Sequence, residues 1–246
     1  MKAVITAAGS GMRLRPLTEH TPKCLLDIGG YTTLGLSMEN ILAYGIDEFV
    51  LVVGFEHNKI REYLKNNYPA AKVEYILNED YETTNSLYSF WMTRESIKED
   101  SLLLLDGDII FAKSVVEKVL NCKHENCLSY RNNIEVVEED MKLIVDENGI
   151  VTQISKKIDL GVASGESIAI QKFSTKGVKM LVDAADELVI REKIVDDWYE
   201  GAFQRMIDNG AEIGSVAVDQ SSCFEIDTFE DMDYAKKYII PTLFKN

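Results

Sequence analysis

Ala3-Val4-Ile5-Thr6-Ala7-Ala8-Gly9-Ser10-Gly11-Met12-Arg13-Leu14-Arg15-Pro16 opens the chain with a short apolar strand that runs without a spacer into a glycine loop. Further β-branched or leucine-rich runs recur at residues 49–53, 73–77 and 102–105, with helical periodicity between them at residues 34–44, 58–67 and 85–97. Continuous apolar runs predict strands buried on both faces, and strand alternating with helix predicts parallel pairing through right-handed crossovers. The expected fold is therefore α/β and Rossmann-like, a mostly parallel mixed sheet covered by helices on both faces.

Beyond about residue 130 the rhythm changes. Residues 142–145 and 151–154 flank Asp146-Glu147-Asn148-Gly149, where Asn-Gly favours a hairpin. A strand is expected at residues 167–171, helices at 175–187 and 198–209, a strand at 213–218 and a closing helix at 230–240. No repeat, low-complexity tract or Pro- or Gly/Ser-rich linker divides the chain, so residues 1–246 read as a single domain.

A length of 246 residues with 46% apolar residues supplies a real core. The net charge of −15 opposes non-specific binding to nucleic acid or an anionic membrane, because both need a positive field. No apolar run is long enough to span a bilayer, and the start enters a strand pattern rather than a cleavable signal, so a cytoplasmic location is expected. Cys24, Cys122, Cys127 and Cys223 are scattered and read as reduced thiols. Cys122, His124 and Cys127 imitate half a zinc site, but a helix-to-strand loop is the preferred reading because no fourth ligand is near.

In the glycine loop, Gly9 and Gly11 permit positive φ and close backbone approach, so the N–H groups of residues 7–12 (Ala7, Ala8, Gly9, Ser10, Gly11 and Met12) can face phosphate oxygens. Arg13 adds a fork of donors, and Lys23 brings a second cation. The loop is neither a dinucleotide fingerprint, because Leu14 stands where the third glycine belongs, nor a Walker A loop, because no Gly-Lys-Ser/Thr follows. An ordinary glycine turn with surface arginines is the competing reading.

Residues 102–105 then carry a buried strand straight into Asp106-Gly107-Asp108, placing carboxylates at the edge of the sheet where open α/β folds bind ligands. Hard divalent cations such as Mg²⁺ take one or two carboxylates plus phosphate oxygens. A second acidic pair, Glu225-Ile226-Asp227, precedes the last helix, where Asp227 could also serve as a helix-start residue.

Gly9-Ser10-Gly11-Met12-Arg13-Leu14-Arg15-Pro16 with Pro22-Lys23 resembles the signature of the nucleotidyltransferase family that includes sugar-phosphate nucleotidylyltransferases. The resemblance implies that Arg13 and Lys23 hold the triphosphate and the departing pyrophosphate, and that Asp108 and Asp227 bind the metal, with Mg²⁺ as cofactor. It implies that Lys157 contacts the acceptor phosphate, although Lys156 and Ile158 replace the acid and proline that usually flank that lysine. Residues 78–89 resemble the corresponding segment of cytidylyltransferases for phosphocholine and 2-aminoethylphosphonate, which implies that Asn85 and Ser86 lie near base and ribose. A helix N-cap by Thr84 or Asn85 is the alternative.

On this reading residues 1–130 form a nucleotide-binding half, 131–220 an acceptor-binding part, and 221–246 the metal-binding strand end and C-terminal helix. Aromatic faces beside carboxylates suit an ammonium group, so Asp197, Trp198, Tyr199 and Glu200, joined by Glu166, are candidates for the acceptor, with core packing of Trp198 and Tyr199 as the rival. A phosphate monoester has a second pKa near ~6, so no catalytic histidine is required, and His20, His57 and His124 are assigned to loops or surface. The expected partners are an NTP, CTP first, and a small phosphorylated or phosphonate acceptor bearing an amine. A sugar-nucleotide enzyme and a non-catalytic nucleotide sensor are the alternatives, and homo-oligomer formation is left open.

Overall fold

The computed structural model describes residues 1–132 and 135–243. In chain order the elements are β1 (Lys2–Ala7), α1 (Thr33–Leu42), β2 (Glu48–Val53), α2 (His57–Asn67), β3 (Lys72–Leu77), α3 (Ser86–Met92), α4 (Arg94–Ile97), β4 (Leu102–Asp106), β5 (Ile109–Phe111), α5 (Lys113–Leu120) and β6 (Cys127–Arg131). They continue with β7 (Lys142–Val145), β8 (Val151–Ser155), β9 (Gly165–Phe173), α6 (Thr175–Asp186), α7 (Glu200–Asp208), β10 (Gly214–Val218), β11 (Cys223–Glu225), α8 (Phe229–Tyr234) and α9 (Ile240–Leu243).

The main sheet runs β10-β6-β9-β4-β1-β2-β3, with the β7–β8 hairpin attached through β9. Strands β1, β2, β3 and β4 pair in parallel, whereas β9 lies antiparallel to both β4 and β6. Successive residues of the central strands enter opposite layers. Ala3, Ile5, Phe49, Leu51, Leu103 and Leu105 pack into one core, while Val4, Val50, Leu102 and Leu104 pack into the other. The period-two pleat thus explains why these strands read as unbroken apolar runs.

Chain direction across the sheet positions the site. From β1 the chain passes to β2 on one side and returns as β4 on the other, creating a switch point beyond the carboxyl ends of β1 and β4. Thr6 and Asp106 are register partners there.

Two elements depart from the sequence expectation. Residues 127–131, to which the sequence reading assigned no element of their own, form a strand inside the sheet at the end of the expected helix-to-strand loop, with β10 in parallel on its outer side. The short β5 pairs with β11 to make a separate two-stranded sheet. A third apolar cluster, including Leu14, Ile28, Leu36, Ile110, Ile226 and Met232, packs the C-terminal helices beneath this ladder. The zinc-like trio makes no three-ligand cluster among the described residues: Cys127 is buried on β6, and His124 pairs with Glu212 at 3.1 Å.

Candidate active site

The glycine loop leaves β1 at Ala7 and ends in a 3₁₀ turn, Met12–Leu14, whose Leu14 is fully buried. Gly11 has φ 61°, and a Cβ there would lie 3.1 Å from both the Lys23 Cβ and the Thr18 Cγ2. A side chain at this position would meet both an unfavourable backbone and a crowded one. The Thr18 hydroxyl donates to the Gly11 carbonyl at 2.7 Å and fixes the turn.

Lys23 opens a second 3₁₀ turn, Lys23–Leu25, and its ammonium reaches Asp108 at 2.7 Å and Asp227 at 2.5 Å. Arg13 meets the other oxygen of Asp227 at 2.7 Å, with its side chain 66% exposed at the cleft. Burial works against charge on Lys23, but Asp108 and Asp227 outweigh it and raise its pKa. Burial likewise pulls the Asp227 carboxyl upward, yet Lys23 and Arg13 hold it below its ordinary value. Three elements far apart in sequence therefore meet in one ionic cluster.

The β5–β11 ladder explains the convergence. Asp108 directly precedes β5, Glu225 is the register partner of Ile109, and the Ile226 N–H donates to the Asp108 carbonyl at 3.2 Å. One carboxylate oxygen from each of Asp108, Glu225 and Asp227 lies within 4.8 Å of the others. The Asp108 Oδ1 is buried without a hydrogen-bond partner. An orphaned anionic oxygen in an all-oxygen donor set fits a hard divalent cation, and no softer ligand stands among the three. Burial, then the charges of Asp108 and Asp227, push the Glu225 carboxyl up. Asp227 does not cap the last helix: Thr228 does, in a capping box with Asp231, which leaves Asp227 for the cluster.

Asp106 accepts a hydrogen bond from the Thr6 hydroxyl, and burial followed by the Asp108 charge raises its pKa. A cleft of about 710 Å³ joins this centre to an outer end bordered by β6, β9 and the start of α7. Asn85 and Ser86 both line it. Asn85 also caps α3, its side-chain oxygen accepting from the Ser86 N–H at 2.8 Å, and the Ser86 hydroxyl accepts from the Tyr199 N–H at 3.1 Å.

Among the lining residues are Ala7, Ala8, Gly9, Gly11, Met12, Arg13, Lys23, Asp106, Asp108 and Asp227, together with Glu166, Trp198 and Glu200 at the outer end. The expected residues Ser10, Lys157, Asp197 and Tyr199 are not among them. Lys157 is exposed and its N–H bonds the Ser155 hydroxyl in the turn after β8, while the neighbouring Lys156 faces the cleft instead. Tyr199 is fully buried and packs at 5.3 Å from Phe203, as a core residue does. One oxygen of Asp197 accepts from the Trp198 N–H at 2.8 Å. Arg131, Lys156, Ser167 and Glu225 were not expected at the cleft. Glu225 and Lys156 carried a sequence signal, their places beside Asp227 and Lys157.

A nucleotidyl transferase family profile matches residues 2–130, which spans the loop, the first acidic station and all but the last residue of β6. The chain belongs to the nucleotidyl transferase family. CTP:phosphoglutamine cytidylyltransferase of Campylobacter jejuni is 25% identical over 253 aligned residues, covering 95% of this chain and 98% of that protein. CMP-5'-(3-aminopropyl)phosphonate synthase of Streptomyces rubellomurinus is 35% identical over 119 residues, 48% of this chain, and the match spans 19% of that protein. The structure of CTP:phosphocholine cytidylyltransferase from Streptococcus pneumoniae superposes with a TM-score of 0.77 over 96% of this chain and 97% of that one, at 22% identity. The fold is thus that of the nucleotidyltransferases.

Proposed function

We propose that this nucleotidyl transferase family member is a magnesium-dependent cytidylyltransferase that moves CMP from CTP to a small phosphorylated or phosphonate acceptor bearing an amine. The observation that carries the reading is the meeting of Asp108, Glu225 and Asp227 with Lys23 and Arg13 opposite the glycine loop. The CTP-dependent enzymes among its relatives support the choice of nucleotide. Asp108, Asp227 and Glu225 would hold the cation, which when bound neutralises phosphate charge and polarises the reacting phosphoryl group.

The chain's own groups do the rest. The N–H groups of residues 7–12 and the Arg13 fork hold the triphosphate, and Lys23 offsets charge on the departing pyrophosphate. Asn85 and Ser86 border the nucleoside, and Asp106 lies behind the glycine loop at the end of β4. A phosphoryl oxygen of the acceptor attacks the α-phosphorus as the bond to the β-phosphate's bridging oxygen breaks. With a second pKa near ~6 that oxygen is already anionic at neutral pH, so the protein needs alignment and cations rather than a base. Lys156 supplies the cation at the outer end, and Glu166, Trp198 and Glu200 border the acceptor's amine.

A cytoplasmic site of action accords with the free cysteines Cys24, Cys122, Cys127 and Cys223. Among the described residues no helix is long and apolar enough to cross a membrane.

Pyrophosphate release is to be measured in magnesium with ATP, CTP, GTP, UTP and dTTP against phosphocholine, 2-aminoethylphosphonate and glucose 1-phosphate. Release with CTP and an amine-bearing acceptor is expected. Release confined to glucose 1-phosphate would make the protein a sugar-nucleotide enzyme, and nucleotide binding without release from any pair would make it a sensor.

A further inference from the structure

Residues 78–89 wall the cleft on the β2–β3 side of the glycine loop, away from the acids at the end of β4. The Asn78 N–H donates to the Val53 carbonyl at 2.8 Å, which seats this wall where β2 and β3 end. Its six lining residues are Asn78, Tyr81, Thr84, Asn85, Ser86 and Ser89, and none is charged. Arg13 and Lys23 stand instead with the carboxylates of the ionic centre. An uncharged wall of this chemistry suits a nucleobase rather than a phosphate.

Hydrogen bonding inside the wall fixes the role of one hydroxyl. The Asp80 backbone N–H, which can only donate, meets the Asn78 side-chain oxygen at 3.0 Å. The other end of that amide is therefore the NH₂ group, and it spends both hydrogens, on Thr84 Oγ1 at 3.0 Å and on Ser89 Oγ at 3.2 Å. Thr84 passes its own proton to the Asp80 carbonyl at 2.9 Å and is satisfied. Ser89 is not: its oxygen accepts, and among the described residues no acceptor takes its proton. It is only 5% exposed and lies one helical turn beyond Asn85 and Ser86, on the face of α3 that borders the cleft. A buried hydroxyl held as a donor there calls for an acceptor on whatever binds.

Cytosine and uracil differ at one ring position in the required sense. N3 of cytosine carries a lone pair and accepts, whereas N3 of uracil carries a hydrogen and donates. Resting on the cytidylyl-transfer reading, we infer that the Ser89 hydroxyl donates to N3 of the cytosine ring and is a specificity-determining contact for CTP over UTP. With uracil the N3 hydrogen would face the serine proton. Turning the hydroxyl away would leave that proton unpaired, because Asn78 already donates to the same oxygen. Asn78 is then a positioning residue that acts on the base through Ser89.

Affinity measured by titration calorimetry in magnesium, with no acceptor present, reads the contact for CTP, UTP and two analogues. In 3-deaza-CTP a C–H replaces N3, and pyrimidin-2-one riboside triphosphate keeps N3 but lacks the 4-amino group. CTP and the pyrimidin-2-one are expected to bind within ~3-fold of each other, and UTP and 3-deaza-CTP at least ~10-fold more weakly, as a site built to hydrogen-bond one group rejects the analogue that lacks it. Ser89→Ala should bring CTP and 3-deaza-CTP to equal affinity, whereas Ser89→Thr, which keeps the hydroxyl, should preserve the gap. Binding of 3-deaza-CTP as tight as that of CTP overturns the inference. So does a pyrimidin-2-one that binds as weakly as UTP, which would move the selection to the amino group, and so does an equal loss on all four ligands in Ser89→Ala, which would make the serine a structural part. The four ligands on the parent protein decide the matter should the variants not fold. Pyrophosphate release separates the two levels. Release with UTP as readily as with CTP sinks this inference and leaves nucleotidyl transfer standing. Selective CTP binding without release sinks the transfer reading and leaves the Ser89 contact, and absence of nucleotide binding sinks both.

Discussion

Lys23 is the residue on which the ionic centre turns, since its ammonium is the contact shared by Asp108 and Asp227. Replacing it with methionine leaves those carboxylates facing each other with Arg13 on the outer side of one. Lys23→Met is expected to lower kcat/KM for pyrophosphate release by roughly 10²–10³-fold, the range for removal of one charge-stabilising donor. Magnesium binding, read as a thermal shift, should persist in the variant, because the lysine competes with a cation for the same oxygens. Loss of the magnesium shift together with activity would reduce Lys23 to a structural part. Thr228 matters in a quieter way: by taking the helix cap with Asp231, it releases Asp227 from the commonest duty of an aspartate at that position.

At the scale of elements, the short β5–β11 ladder and the packing of β2 against the glycine loop fix the geometry. Gly54 follows β2, and the neighbouring Phe55 N–H donates to the Ala8 carbonyl at 3.0 Å. A Cβ on Gly54 would lie 2.6 Å from that carbonyl oxygen and 2.8 Å from Tyr81 Cδ1, so backbone or ring must move. Gly54→Ala is expected to weaken CTP binding by at least ~10-fold and to cost about 1–3 kcal/mol of stability, as overpacking does. Titration calorimetry and thermal melting check the pair of effects. Undiminished CTP affinity would show that the loop tolerates displacement and is not a preorganised cradle.

Across the whole molecule, buried acids tie stability to pH. Glu200 is 8% exposed, and burial is the main cause that pushes its pKa from 4.5 up to about 7. Between those values the folded state holds more protons than the unfolded chain, so this group's stabilisation is present below about 4.5 and is lost as pH rises through 7. Glu200→Gln, which stays neutral, should match the parent near pH 4.5 and melt higher at pH 8, by on the order of 5 °C. A difference in melting temperature that does not vary with pH would contradict this. Asp106 and Glu225 are shifted in the same direction, and Asp227 in the opposite one, so the parent's own profile is a sum, and the variant difference reads Glu200 together with the relief of its charge on Asp106.

The sequence by itself determined the buried parallel strands, the glycine loop after β1 and the two acidic stations, because each is written in a contiguous run of residues whose period or glycine content is its own signal. It placed Asp108 and Asp227 at strand ends without showing that they touch. Tertiary structure alone brought Glu225 into the acid cluster, because only the β5–β11 register sets it against the residue after Asp108. Tertiary structure also put Lys156 rather than Lys157 on the cleft wall and buried Tyr199 against Phe203. Adjacent residues leaving a strand point to different sides, so a one-residue choice is decided by how the strand is seated and not by the identity of the side chains. Arg131 was hidden for a related reason. Its strand sits inside the sheet, but the pairing that aims it at Glu166 joins segments 35 residues apart.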